Sequence, residues 1–145
     1  MNIQTCLMEG LLKKDNPDFE KSKSSIKMAE HKLDLAERDF QSEIYENSII
    51  SAYASMFHST RALLFKDGYK ERSHFALYVY IKEKYSDKIE KMYLSELNSM
   101  RLERHELMYG LERSKESYEV EAESAIQVAK GFLKTVKKLL DQNSK

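Results

Sequence analysis

Apolar positions recur along this chain at helical spacing, and breakers divide the pattern into about six segments. From Ile3 to Lys14, the residues Ile3, Leu7, Met8, Leu11 and Leu12 share one side, which predicts a short amphipathic helix. Asn16-Pro17-Asp18 closes it and opens the next, because proline disfavours helix at the preceding residue and is preset for a first turn. The second helix is predicted from about Asp18 to Phe40, with a stripe of Ile26, Ala29, Leu33, Ala36 and Phe40 and a charged remainder facing water. A third runs from about Glu43 to Lys66 and ends at Gly68, a left-handed stop. Its apolar residues, among them Ile49, Tyr53, Met56, Phe57, Leu63 and Leu64, cover so wide an arc that it should lie centrally.

Lys70 to Ser73 reads as a loop. The run His74 to Tyr85 contains Leu77, Tyr78, Val79, Tyr80 and Ile81, which suit a strand by propensity. Helix is preferred there, because no second convincing strand exists for it to pair with. A fifth helix, from about Asp87 to Tyr109, stops at Gly110 and carries the series Ile89, Tyr93, Leu97, Met100 and Leu107. A last one, about Val120 to Leu140, presents Ala125, Val128, Ala129, Phe132, Val136 and Leu140, and residues from Gln142 onward should fray. The fold class is therefore all-α, a helical bundle.

Composition narrows the picture without changing it. A chain of 145 residues fits one domain, and 4 Gly and 1 Pro argue against a turn-rich sandwich or barrel. Cys6 is the sole cysteine, which excludes an internal disulfide framework or a cysteine-rich zinc site. With 24 basic and 24 acidic residues there is no net field drawing the protein to nucleic acid or anionic lipid, although a local patch is compatible with that balance. No apolar run approaches the ~20 residues of a spanning helix, and Glu9, Lys13 and Lys14 interrupt any leader-like stretch. The expectation is a cytoplasmic protein with no membrane partner.

Two places depart from plain amphipathic design. In the third helix, Asn47, Ala54, His58, Arg61 and Phe65 fall on one narrow arc beside the apolar face. His58 and Arg61 stand one turn apart and can meet the same ligand. Equally, Arg61 can lay its methylenes over Phe57 and Phe65 while its head reaches water or a carboxylate. In the fifth helix, Arg104 falls inside the apolar series, and an inward guanidinium requires an acceptor such as Glu46, Glu43 or a bound phosphate. Arg101, His105 and Tyr109 form a second row beside it, so that the four residues can line one cleft. There is no glycine-rich phosphate loop, HExxH, CxxC or Gly-x-Ser-x-Gly elbow, no metal-ligand spacing, and no cofactor is expected. Most of the 9 tyrosines recur with aliphatics at helical spacing, which points to packing.

The stretch Ser51-Ala-Tyr-Ala-Ser-Met-Phe-His-Ser-Thr-Arg-Ala-Leu-Leu-Phe-Lys-Asp-Gly-Tyr69 resembles the central helix of the HEPN domain family, in particular its small stand-alone archaeal and bacterial branch. Arg101-Leu-Glu-Arg104-His-Glu-Leu-Met-Tyr109-Gly110 is similar to the later-helix motif of that branch. The resemblance extends from about Asp18 to Leu140. It implies a single HEPN-like domain over residues 1–145: an amino-terminal helix in 1–15 and an antiparallel bundle in 18–140, with four core helices plus short extra helices. It also implies a homodimer and, often, a minimal nucleotidyltransferase as partner in a toxin–antitoxin pair. Many members of the family are metal-independent ribonucleases carrying an arginine and a histidine separated by four to six residues. There the histidine moves protons during 2′-OH attack and the arginine steadies charge on phosphorus.

This chain departs from that spacing. Counting from Arg104, the histidine position holds Tyr109, whose ordinary pKa of ~10 makes a poor general base. Counting from Arg101, His105 follows after three residues, one short. Phosphate binding needs no proton shuttle and tolerates the change better. Three functions follow. The first is a nucleotide- or RNA-phosphate-binding HEPN module with Arg104, Arg101, Tyr109, His58, Arg61 and Asn47 around the cleft. The second is an active ribonuclease toxin using Arg104 or Arg101 with His105. The third is a non-catalytic structural or interaction module. Tyr78, Tyr80, Met92, Met100 and Met108 exceed what one core needs and favour dimerisation.

Overall fold

A computed structural model describes the backbone of residues 1–109 and 114–143, and the side chains of residues 1–104 and 114–142. Within these, six helices and one two-stranded sheet follow in the order α1 (Ile3–Met8), β1 (Leu12–Lys14), α2 (Phe19–Gln41), α3 (Tyr45–Asp67), β2 (Tyr69–Glu71), α4 (His74–Tyr85), α5 (Lys91–Tyr109) and α6 (Lys115–Asn143). The all-α expectation holds, with α3 at the centre in contact with α2, α4, α5, α6 and β2.

The pairing of α2 with α3 rests on small residues. Ser22, Ser25, Ala29 and Ala36 are the buried positions of α2, and they face Ser48, Ala52, Ser55, Ser59 and Ala62. With so little bulk between them the backbones approach closely enough for hydroxyls to reach across. Ser22 donates to the Ala62 carbonyl at 2.8 Å, Ser25 to His58 at 2.7 Å, Ser48 to Ala36 at 2.7 Å, and Ser55 to Ala29 at 2.8 Å. The predicted larger stripe residues Ile26, Leu33 and Phe40 lie at the margins of this seam, half-buried.

Several expectations need correction. The helix proposed for residues 3–14 ends at Met8: Gly10 takes a left-handed φ of 74°, and the chain leaves as β1. The proposed loop at 70–73 begins instead as β2, antiparallel to β1, with Leu12 opposite Glu71 and Lys14 opposite Tyr69. Three-residue strands are too short to show a period, which is why they read as helix and loop. Asp18 caps α2, its carboxylate accepting from the Lys21 N–H at 2.9 Å. The third helix starts two residues later than expected, because Glu43 has a φ of 63° in the turn.

Gly68 does end α3 in left-handed geometry, with φ 87°. A Cβ there would also come within 2.8 Å of the Asp15 carbonyl, because the amino-terminal arm crosses this point and Asp15 N–H donates to the Gly68 carbonyl. The strand-prone run 77–81 is helical, as argued from the missing partner. Ser73 caps it by accepting from the Ala76 N–H, and Leu77, Tyr80 and Ile81 enter the core. Residues 86–90 form a turn, so α5 begins at Lys91, while α6 starts five residues earlier than predicted. Tyr80 and Met100, offered as surplus surface, are core residues; Tyr78 is half-buried, Met92 is exposed, and the Met108 side chain lies outside the described residues. Among the described residues, no helix is long and apolar enough to cross a membrane.

Candidate functional site

Where α3, α4 and α5 converge, rings and guanidiniums collect. Tyr53, buried on α3, shares a 2.7 Å hydrogen bond with Nδ1 of His74, the first residue of α4. The His74 imidazole stacks against Phe57 at 4.3 Å between centroids and lies near-parallel to Tyr53 at 5.7 Å. Arg104 holds its guanidinium 5.7 Å from the Tyr53 ring, and Arg101 sits 5.3 Å from Phe75. Asn98, one turn back on α5, accepts from Nε and Nη2 of Arg101 at 3.2 and 2.8 Å. Aromatic faces attract guanidiniums through their quadrupole.

Electrostatics follow from that crowding. Burial holds the His74 pKa below the ordinary histidine range, and Arg104, Arg101 and Arg61 add to the shift. Its position at a helix amino terminus acts in the same sense, since the dipole disfavours imidazolium. His74 is therefore neutral at pH 7. Burial pushes the Tyr53 phenol up to about 12 against the opposing pull of Arg104 and Arg101, so its hydroxyl keeps the proton.

A second group lies on the other side of Phe57. Arg61 places its guanidinium 5.6 Å from Phe57 and 5.1 Å from Phe65, while Nε meets the Glu71 carboxylate at 2.8 Å. This is the arrangement in which methylenes cover rings and the head finds a carboxylate. His58 meets Phe57 edge-on at 5.4 Å. Burial lowers its pKa to about 4, assisted by Arg61, Lys32 and His74. His58 and Arg61 both line a groove of about 370 Å³ between α2, α3 and β2.

The residues singled out from sequence thus fall into different places. Arg101 and Arg104 come together around Tyr53, Phe75 and His74, and Arg104 is half-buried. Its expected acceptors do not serve it: Glu43 pairs with Lys115 at 3.4 Å, and Glu46 is exposed. Among the described residues, the ring face of Tyr53 stands where a carboxylate was expected. Asn47 is exposed near the start of α3, eleven residues and so ~16 Å along the axis from His58. The side chains of His105 and Tyr109 lie outside the described residues. His74 and Tyr53 were missed as site residues, because their meeting depends on how α4 crosses α3, which no spacing within one helix records. The available signal was a histidine directly after a serine cap.

Comparison with known proteins agrees with this architecture. A Methanocaldococcus jannaschii protein named "Putative toxin MJ0605" is 29% identical over 141 residues, a match covering 93% of this chain and 98% of the relative. The family model described as HEPN domain matches residues 22–139, which takes in α2 to α6 with the helix α3 and both arginines of α5. On the extent of that match, the chain belongs to the HEPN domain family.

Proposed function

We propose that this HEPN protein binds the phosphate of a nucleotide or of RNA at the Arg101–Arg104 cluster. In this reading it acts as a homodimer and as the partner of a minimal nucleotidyltransferase in a toxin–antitoxin pair. The observation that carries the binding reading is the seating of both guanidiniums on aromatic faces, beside a neutral imidazole. Such a site holds cations whose mutual repulsion an anion relieves, and Arg offers the planar fork that matches phosphate. The toxin role rests on family membership and on the name of the archaeal relative.

Binding is tested by adding inorganic phosphate, AMP or a short RNA and following thermal unfolding. A ligand specific for the folded chain at a hundred times its Kd adds ~2.7 kcal/mol by mass action. Arg104→Ala should abolish that gain; an equal gain in the variant overturns the assignment. Sedimentation tests the dimer, and a monomer at micromolar concentration removes it from the proposal. Co-purification with a nucleotidyltransferase encoded beside it tests the partner, whose absence from the purified material would sink that part.

One observation favours a second reading, a metal-independent ribonuclease. His74 brings a neutral imidazole to the arginines from α4, whereas the α5 motif spacing gives tyrosine. A histidine neutral at pH 7 can take the proton of a 2′-OH as it forms the bond to phosphorus, while the arginines stabilise the pentavalent charge and the bond to the 5′-oxygen breaks, that oxygen taking a proton from water. RNA incubated in EDTA, with His74→Gln and Arg104→Ala as controls, decides it. Products ending in 2′,3′-cyclic phosphate from the wild type alone support the enzyme, and intact RNA throughout refutes it.

A further inference from the structure

We propose that the groove between α2, α3 and β2 is a second phosphate subsite, so that the ligand is a single-stranded oligonucleotide lying across Phe57 and not a lone nucleotide. This rests on the reading that Arg101 and Arg104 bind phosphate.

The groove carries the two things a strand requires, cations and stacking faces. Lys21 from α2, Arg61 from α3 and Lys70 from β2 line it, and Phe65 forms its apolar wall. The Lys21 ammonium stands 5.8 Å from the Phe65 ring and the Arg61 guanidinium 5.1 Å from it. Glu71 engages Arg61, and its side chain is only 9% exposed, so it leaves the lysines to face solvent. One carboxylate against three cations leaves the groove positive in a chain whose overall charge is zero.

Half-buried Phe57 stands between the groove and the Arg101–Arg104 cluster. On the cluster's side the His74 ring stacks on Phe57 at 4.3 Å, and on the groove's side the Arg61 guanidinium stands 5.6 Å from the same ring. Guanidiniums therefore stand at both ends of a short aromatic row. A single phosphate at the Arg101–Arg104 end leaves Lys21 and Lys70 of the groove unmatched, since Glu71 serves Arg61, whereas a strand of several nucleotides neutralises both ends. Burial is the main cause that lowers the His74 pKa, and the guanidiniums that add to it, Arg104, Arg101 and Arg61, come from both sides of this row.

The experiment measures anisotropy of a labelled eight-nucleotide RNA and its DNA counterpart, and AMP by competition, against the full chain and two variants. Lys21→Glu/Lys70→Glu reverses charge at two exposed positions and should leave the fold and AMP binding intact. The double variant should weaken the octamer at least tenfold and reduce the slope of log K against log salt by about 1.4, at ~0.7 per phosphate contact on a single strand. RNA and DNA bound alike assign recognition to phosphate and base faces; RNA alone adds the 2′-OH, and either result supports the subsite. Octamer affinity and salt slope unchanged in the double variant, with both reduced by Arg104→Ala, overturn the groove and leave the arginine cluster standing. An octamer no tighter than AMP in the wild type overturns it as well. No binding of any probe to the wild type removes the arginine reading first and the groove with it.

Discussion

The hydrogen bond between Tyr53 and His74 can be isolated by changing each partner to phenylalanine. Tyr53 is 3% exposed, so His74→Phe strands a buried phenolic hydroxyl, a loss that costs ~1–3 kcal/mol. The new ring keeps the stacking on Phe57, which separates the hydrogen bond from the packing. Tyr53→Phe leaves the half-buried imidazole without the phenol and should cost ~1 kcal/mol, less because water can reach part of the ring. The double variant removes donor and acceptor together and should be close to neutral against the worse single change. The coupling is then ~1 kcal/mol in a double-mutant cycle, within the range for contacting residues. Urea unfolding supplies the free energies, and an unchanged m-value confirms that only stability moved. Strictly additive single costs would refute the bond as a stabilising contact.

Further outcomes follow from the same structure. Asp67 accepts from Tyr80 and Tyr85 hydroxyls at 2.7 and 2.6 Å, so Asp67→Ala should cost ~2–6 kcal/mol in urea unfolding, the sum of two stranded buried hydroxyls. Ser55→Leu inserts bulk where α2 and α3 nearly touch and deletes the bond to Ala29; it should destabilise by ~3 kcal/mol or more, and a neutral result would contradict the close seam. Glu43→Gly relieves a left-handed non-glycine residue and should raise stability by ~0.5–1 kcal/mol, read as a higher Tm. His58, with a folded pKa of about 4 below its unfolded value near 6.5, binds a proton more readily in the unfolded chain. Its contribution is complete above pH 6.5 and lost as pH falls towards 4, so His58→Gln should flatten the stability profile in that window; an unchanged slope refutes the shift.

The fold was legible where one helix carries its own signal. The wide arc of α3, the stop at Gly68 and the helical reading of 77–81 all depend on local pattern or on the absence of a partner strand, and each is found. The short sheet was illegible, because Leu12–Lys14 and Tyr69–Glu71 are defined by pairing across more than fifty residues. The α2–α3 seam was half legible: alanines marked it, while the serines counted as surface until their hydroxyls met the opposite backbone. For the site, Arg61 over Phe57 and Phe65 followed from i, i+4 spacing on a single helix. Arg104 stood out for falling within an apolar series, and the ring it lies beside comes from another helix. His74 escaped because nothing within α4 distinguishes a histidine at a helix start from an ordinary surface residue.

The pairing of β1 with β2 ties residues remote in sequence to the charge of the groove. Glu71, the counter-ion of Arg61, occupies the strand position opposite Leu12 and is held there by the amino-terminal arm. Deleting that arm, or displacing it with a bulky fusion tag, would unclamp the strand and hand Arg61 back to solvent as an uncompensated cation. Preparations that differ only ahead of residue 15 should therefore differ in how avidly they adsorb polyanions such as heparin.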